Sequence, residues 1–298
     1  MPDRACESSN NERRRARRRR AGPGGMGGPW LVAAALTACL PGCNVLVPSN
    51  ARQWSPDQAL LAYARFDGER VTVHNIRNCA YSSADNFTVE HYDKTFDLGE
   101  LDSVDFIMVP FSDMPGGAHT FLSFGFGGRD YLAVSVEIRK ELGEAYSSLK
   151  GFVNGYEIMY VIGDERDLIQ LRTIHRLDDV YVYRAKASPA QARALFVDVL
   201  ERANKLVDEP EFYNTLTNNC TTNVLRHVNR IATRKVPYTY QVLLPAYSDR
   251  LAYDMGLLDT RLPFEETKRR ARVNRLAFVH RDRPDFSAAI RDDAAVLR

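Results

Sequence analysis

Residues 119–139 read HTFLSFGFGGRDYLAVSVEIR, two alternating apolar runs on either side of Gly127-Gly128. This pattern specifies an antiparallel hairpin, because a tight turn between twisted strands needs the positive φ angles that glycine adopts freely. Segments 71–77, 86–98 and 105–111 before it, and 156–163 and 180–185 after it, are rich in β-branched and aromatic residues and read as further strands. A short helix is expected between the last two. The hydrophobic period then changes. Ser188-Pro189-Ala190-Gln191 has the form of a capping box with proline at the first helical position, and Leu195, Phe196, Val199, Leu200 and Leu206 follow at helical spacing. A second helix starts at Cys220, with Val224, Leu225, Val228 and Ile231 on one face. Strands first and helices after predict an α+β fold, an antiparallel sheet with helices packed on one side. An apolar content of 45% against 26% charged residues supplies enough core for such a domain.

The net charge of +2 hides an uneven distribution. Much of the positive charge sits in ERRRARRRR near the N-terminus, and WLVAAALTAC follows it. A basic run before a short apolar run that ends on small residues reads as an export signal rather than a nucleic-acid contact. LTAC resembles a lipobox, which makes Cys39 the expected lipidation site, with Cys43 in LPGC the alternative; Met26 is an alternative start. The predicted organisation is a signal segment with lipobox at 1–39, a linker at 40–57, a periplasmic domain at 58–260 and a basic tail at 261–298. The last twenty residues are expected to be disordered. Export places the chain on the oxidising, periplasmic side of a bacterial envelope, held to the membrane by its lipid. A Cys79–Cys220 disulfide is then the competing structural reading of both residues.

The motif that carries chemistry is FYNTLTNNCTTNVLRHVN, residues 212–229. Asn218 or Asn219 is a good N-cap, which puts Cys220 in the first helical turn. Free N–H groups and the helix dipole there stabilise a thiolate, and the same N–H groups can hold a developing oxyanion, with the Asn219 side chain as a further donor. A reactive thiol needs a base. His227 lies two turns along the same helix and cannot reach back; His74 sits within a predicted strand; His91, His175 and His280 lie among charged residues. His119 opens the hairpin after a flexible Pro-Gly-Gly-Ala approach. With the turn at Gly127-Gly128, the pleat puts His119 opposite Glu137 or Ser135, on the polar face shared by Phe121, Ser123, Tyr131, Ala133 and Arg139. A carboxylate beside the imidazole fixes its tautomer. The competing reading of Glu137 and Arg139 is a solvated ion pair on an open sheet face. No close-spaced ligand pair points to a metal, and no cofactor is expected.

AHTFLSFGF, the S-V-E-I-R run, GYEIMYVIGDERDLIQLR and FYNTLTNNCTT together resemble the Lnb N-terminal periplasmic domain family, over residues 70 to 260. The resemblance implies a permuted papain-like, NlpC-type thiol fold with histidine before cysteine. It makes Cys220 the nucleophile, His119 the base, and Glu137 or Ser135 the third member. Members with a membrane-spanning C-terminal part are linked to N-acylation of lipoproteins from a lipid donor; no second apolar segment of spanning length is read in this sequence. The expected function is therefore acyl transfer or hydrolysis through a thioester, on a membrane lipid or lipoprotein-related substrate. The alternatives are a cell-wall peptidase or amidase sharing the site, and a non-catalytic envelope binding lipoprotein. Oligomeric state stays open.

Overall fold

The computed structural model describes residues 47–145 and 147–292. The expected signal segment, Cys39 and Cys43 lie outside them. The strands are β1 (Tyr63–Asp67), β2 (Arg70–Arg77), β3 (Ala80–Tyr81), β4 (Phe87–Thr88), β5 (His91–Asp97), β6 (Leu101–Pro110), β7 (Ala118–Phe126), β8 (Asp130–Arg139), β9 (Glu157–Asp164) and β10 (Tyr181–Arg184). The helices are α1 (Ser148–Phe152), α2 (Glu165–Gln170), α3 (Pro189–Asp208), α4 (Cys220–Ile231), α5 (Tyr240–Leu243), α6 (Ser248–Asp254), α7 (Phe264–Ala271), α8 (Asn274–Val279) and α9 (Phe286–Ala289). A π-helical turn, Leu171–His175, continues α2.

Eight strands form one sheet in the order β1-β2-β9-β8-β7-β6-β10, with β5 on β2; β3 and β4 make a separate pair. All pairings are antiparallel except the single contact of β2 with β9, Arg77 opposite Gly163. The α+β class predicted from the sequence is the observed one. The β7–β8 hairpin turns at Gly127 and Gly128, both at positive φ (57° and 65°), in the conformation the Gly-Gly pair was expected to supply. The capping box at Ser188 forms as read, with Ser188 Oγ accepting from Gln191 N and Gln191 Oε1 accepting from Ser188 N.

Helices α3 and α4 cover one face of the sheet. Phe196 is fully buried there, its ring centroid 4.9 Å from that of Phe124 and 5.4 Å from that of Phe126. Helices also cover the other face. Leu168 and Ile169 of α2, Leu276 and Ala277 of α8 and Phe286 of α9 pack with Phe121, Ala133, Met159 and Val161. The polar residues that alternate with those apolar ones suggest an open face when read alone; in the fold they are buried against partners. Arg139 is one of them. Its guanidinium donates to Gln58 O, Ala59 O and Asn50 Oδ1 and lies 4.2 Å over the Trp54 ring, so it is not half of a solvated pair with Glu137.

Both expected flanking segments are packed as far as they are described. Trp54, within the predicted linker, is buried and bridges to Glu141. The predicted tail holds the three short helices α7, α8 and α9. Lys268 pairs with Asp249 at 2.8 Å, Arg270 with Glu266 at 2.7 Å and Arg272 with Asp179 at 2.6 Å, so much of this basic cluster is paired within the fold. Of the last twenty residues, 279–292 carry buried Phe286 and Ile290.

Candidate active site

Strands β7 and β8 pair from Phe126 opposite Asp130 to Phe121 opposite Ser135, and no further. Beyond that point His119 and Thr120 stay hydrogen-bonded to β6 but part from β8. The first turn of α4 docks there, with Thr221 Oγ1 3.1 Å from Thr120 Oγ1. The Thr120 N–H, no longer used in a β7–β8 pair, favours the thiolate form of Cys220. Two chain segments a hundred residues apart are thereby joined at one end of the sheet.

Asn219 caps α4. Its Oδ1 accepts from Thr222 N at 2.8 Å, the Thr222 hydroxyl accepts from Asn219 N, and its Nδ2 donates to Thr215 O. Its oxygen is thus committed to the cap, and one of its two amide protons to Thr215 O. The N–H groups of Cys220 and Thr221, at the first two positions of α4, have no acceptor within the helix.

His119 is buried. Its Nε2 lies 2.6 Å from Ser135 Oγ and 3.2 Å from Glu137 Oε1. The Ser135 hydroxyl donates its one proton to Glu137 Oε1 at 2.7 Å, so toward His119 it can only accept. Nε2 therefore carries a proton, which leaves Nδ1 as the nitrogen able to accept the Cys220 proton; the two groups shift each other's ionisation. The sequence left Glu137 and Ser135 as alternatives; the fold brings both to His119, the serine as bridge and the glutamate as charge. Arg172 extends the chain. Its guanidinium is buried, lies 5.2 Å over the Phe121 ring, and donates to Glu137 Oε1 at 3.0 Å and to Leu168 O.

Proton affinities follow from this geometry. Burial pushes the Cys220 thiol up, but the His119 hydrogen bond and charge outweigh it, helped by the Thr120 N–H and Thr221; the thiol falls to about 7. Burial disfavours the His119 imidazolium, but Glu137 and the thiolate outweigh it, and the ring rises to about 9. Burial also opposes ionisation of Glu137, yet His119 and Arg172 hold it well below the ordinary carboxylate range. Cys79 contrasts with Cys220. It is a free thiol, as Cys220 is, so the two form no disulfide, and burial with the Asp167 charge beside it pushes it up to about 12. Glu137→Gln is expected to lower the His119 midpoint from about 9, because burial then acts with less opposition. An NMR titration of the ring reads this directly, and an unmoved midpoint would exclude Glu137 as the source of the shift.

The other described histidines have structural partners or lie apart. His227 bonds Asp198 at 2.6 Å and Tyr160 at 2.7 Å; His74 bonds Asp93; His175 packs against Tyr81. Arg172 escaped the sequence reading. Its one signal was a cation inside the apolar run DLIQLRTI. No group of His, Cys, Asp and Glu among the described residues is arranged to hold a metal.

The fold and site define an α+β domain with a buried cysteine–histidine pair where a helix start meets a strand start. The Lnb N-terminal periplasmic domain family matches residues 88–246, more than half of the chain, and the chain belongs to that family. It is accordingly a periplasmic protein of the cell envelope. No helix among the described residues is long and apolar enough to cross a membrane. No match is found among curated proteins or among solved structures.

Proposed function

We propose that this domain is a thiol-dependent acyl-transfer or hydrolytic enzyme of the envelope, working in a permuted papain-like arrangement. The observation that carries the reading is the Cys220–His119 pair, with the histidine tautomer fixed through Ser135 to Glu137. His119 Nδ1 takes the thiol proton, and the sulfur attacks an ester or amide carbonyl. The N–H groups of Cys220 and Thr221 stabilise the tetrahedral oxyanion. Its collapse breaks the bond to the leaving alcohol or amine, which takes the proton from His119, and a thioester remains on Cys220. An amine or water, deprotonated by His119, then releases the acyl group.

An apolar slot supports a lipid rather than a cell-wall peptide as donor. It starts at Thr221, beside the nucleophile, and follows Val224, Leu225, Val228 and Ile231 along α4, facing Val242, Leu251 and Leu257. Of its twenty-one lining residues only Lys186, Gln191, Thr221 and Ser248 are polar, which suits a hydrocarbon chain and offers a peptide backbone few partners. Its volume of about 150 Å³ is that of a narrow channel. Attachment to the membrane through Cys39 or Cys43 completes the reading.

The test is incubation of the full chain with an activated fatty acyl ester, followed by mass spectrometry. The expected product is a single acyl adduct on Cys220, lost in Cys220→Ser and strongly reduced in His119→Ala. An adduct on another residue, or none, would overturn the assignment.

A further inference from the structure

The end of the sheet that holds Cys220 also carries a collar of exposed apolar side chains. Strands β6 and β8 end there, at Pro110 and Arg139, and β7 and β9 begin there, at Ala118 and Glu157. The loop from β6 to β7 exposes Phe111 and Met114, and α5 exposes Tyr240 (64%) and Leu243 (47%). The loop before α4 exposes Leu216 (50%), and α1 exposes Phe152. These segments touch one another. Ala246 N donates to Gly116 O, Tyr238 Oη to Leu216 O, and Thr215 N to Gly151 O. They therefore surround the start of α4 as one continuous rim. Contiguous exposed apolar surface of this kind marks an interaction site rather than ordinary scatter, and tyrosine mixed with leucine and phenylalanine is the composition of a membrane–water interface.

We infer that this rim is a membrane-docking face, which dips into the lipid surface and presents the Cys220 site to molecules that stay in the bilayer. The path of the chain argues for lipid over another protein. Ser49 N bonds Glu157 Oε1 at 3.1 Å, and Arg52 pairs with Glu141 and Glu157, so the N-terminal segment joins the domain at this same end. The expected lipidation positions, Cys43 and Cys39, precede Val47 by four and eight residues. A fully extended chain covers at most about 3.6 Å per residue, which limits the tether to about 14 or 29 Å. A lipid fixed at that distance holds the collar, and not the opposite end, against the membrane. In the basic cluster of α7, Lys268 is paired with Asp249 and Arg270 with Glu266. The inference rests on the lipid reading of the site, and it is testable apart from catalysis.

The experiment places a tryptophan at Tyr240→Trp, Leu243→Trp or Leu216→Trp in the full-length Cys220→Ser chain, with Arg129→Trp at the β7–β8 turn as control. Each variant is bound to vesicles of phosphatidylethanolamine and phosphatidylglycerol carrying lipids brominated high on the acyl chains. Trp54, the tryptophan that remains after removal of the signal segment, gives the same background in all of them. The expected result is a blue shift and bromine quenching at the three rim positions, within about 5–10 Å of the headgroup boundary, and neither at position 129. Vesicle-bound protein with no quenching at the rim would mean attachment by the tether alone and overturn the inference. A blue shift without vesicles, together with a dimer mass, would assign the rim to a second copy and also overturn it. Because Cys220 is absent throughout, a catalytically inert wild type leaves the result unaffected.

Discussion

Alanine at position 119 is expected to move the ionisation midpoint of Cys220 from about 7 to above 9, the ordinary thiol value. The sign follows from the balance at the sulfur. Burial raises the thiol, and the His119 hydrogen bond and charge are the largest influences against it; the Thr120 N–H and Thr221 are weaker. At pH 7 the thiolate fraction falls from about one half to about one hundredth. A thiolate of higher pKa is intrinsically more nucleophilic, with a Brønsted slope of about 0.4–0.5, which returns a factor of about 6–10. Simple alkylation at pH 7 therefore slows by only about five- to eightfold, and the midpoint is the decisive readout. Acyl transfer loses more, by a further factor of about 10²–10⁴, because the leaving group has no acid to protonate it. In the intact protein the thiolate–imidazolium pair exists between about pH 7 and about pH 9. Reactivity rises through the lower limit as the thiol loses its proton, and acid catalysis falls through the upper as the imidazolium does. The two limits belong to the coupled pair. Iodoacetamide alkylation across pH 5 to 10, read by mass spectrometry, checks this; equal midpoints in wild type and His119→Ala would remove His119 from the site.

Arg291→Ala is expected to cost about 3–5 kcal/mol of stability, as removal of one partner from a buried ion pair does. The guanidinium donates to Asp105 Oδ2 at 2.7 Å and to Glu165 Oε2 at 2.8 Å, and it lies 3.8 Å over the Tyr131 ring. The side chains of Glu165 and Asp105 are 0% and 2% exposed. Asp105 keeps Arg184 at 2.9 Å, but Glu165 is left with the Ser123 hydroxyl and no cation. Urea unfolding measures the loss, and adding Glu165→Gln to the variant is expected to recover part of it by removing the orphaned charge. A loss below about 1 kcal/mol would mean that the C-terminal segment is not docked as described.

The legible parts of this protein are those set by near neighbours. The Gly127-Gly128 turn fixed where β7 and β8 face each other, and with it the meeting of His119 with Ser135 and Glu137. The Asn219 cap fixed where α4 starts, and so the placement of Cys220 at a helix end. The hairpin of β1 and β2 carried a comparable signal in Asp67-Gly68 but was not read as one. The docking of Cys220 on Thr120, the reach of Arg172 to Glu137 across 35 residues and that of Arg291 to Glu165 across 126 had no local signature.

Sequence by itself determined the sheet, the two long helices and the residue types of the site, because turns, caps and periodicity act within a few residues of the chain. Tertiary structure alone decided which charges are buried, which face of the sheet is covered and where the apolar rim lies. A cation in water and a cation in a core are spelled alike, and only the partner brought by the fold tells them apart.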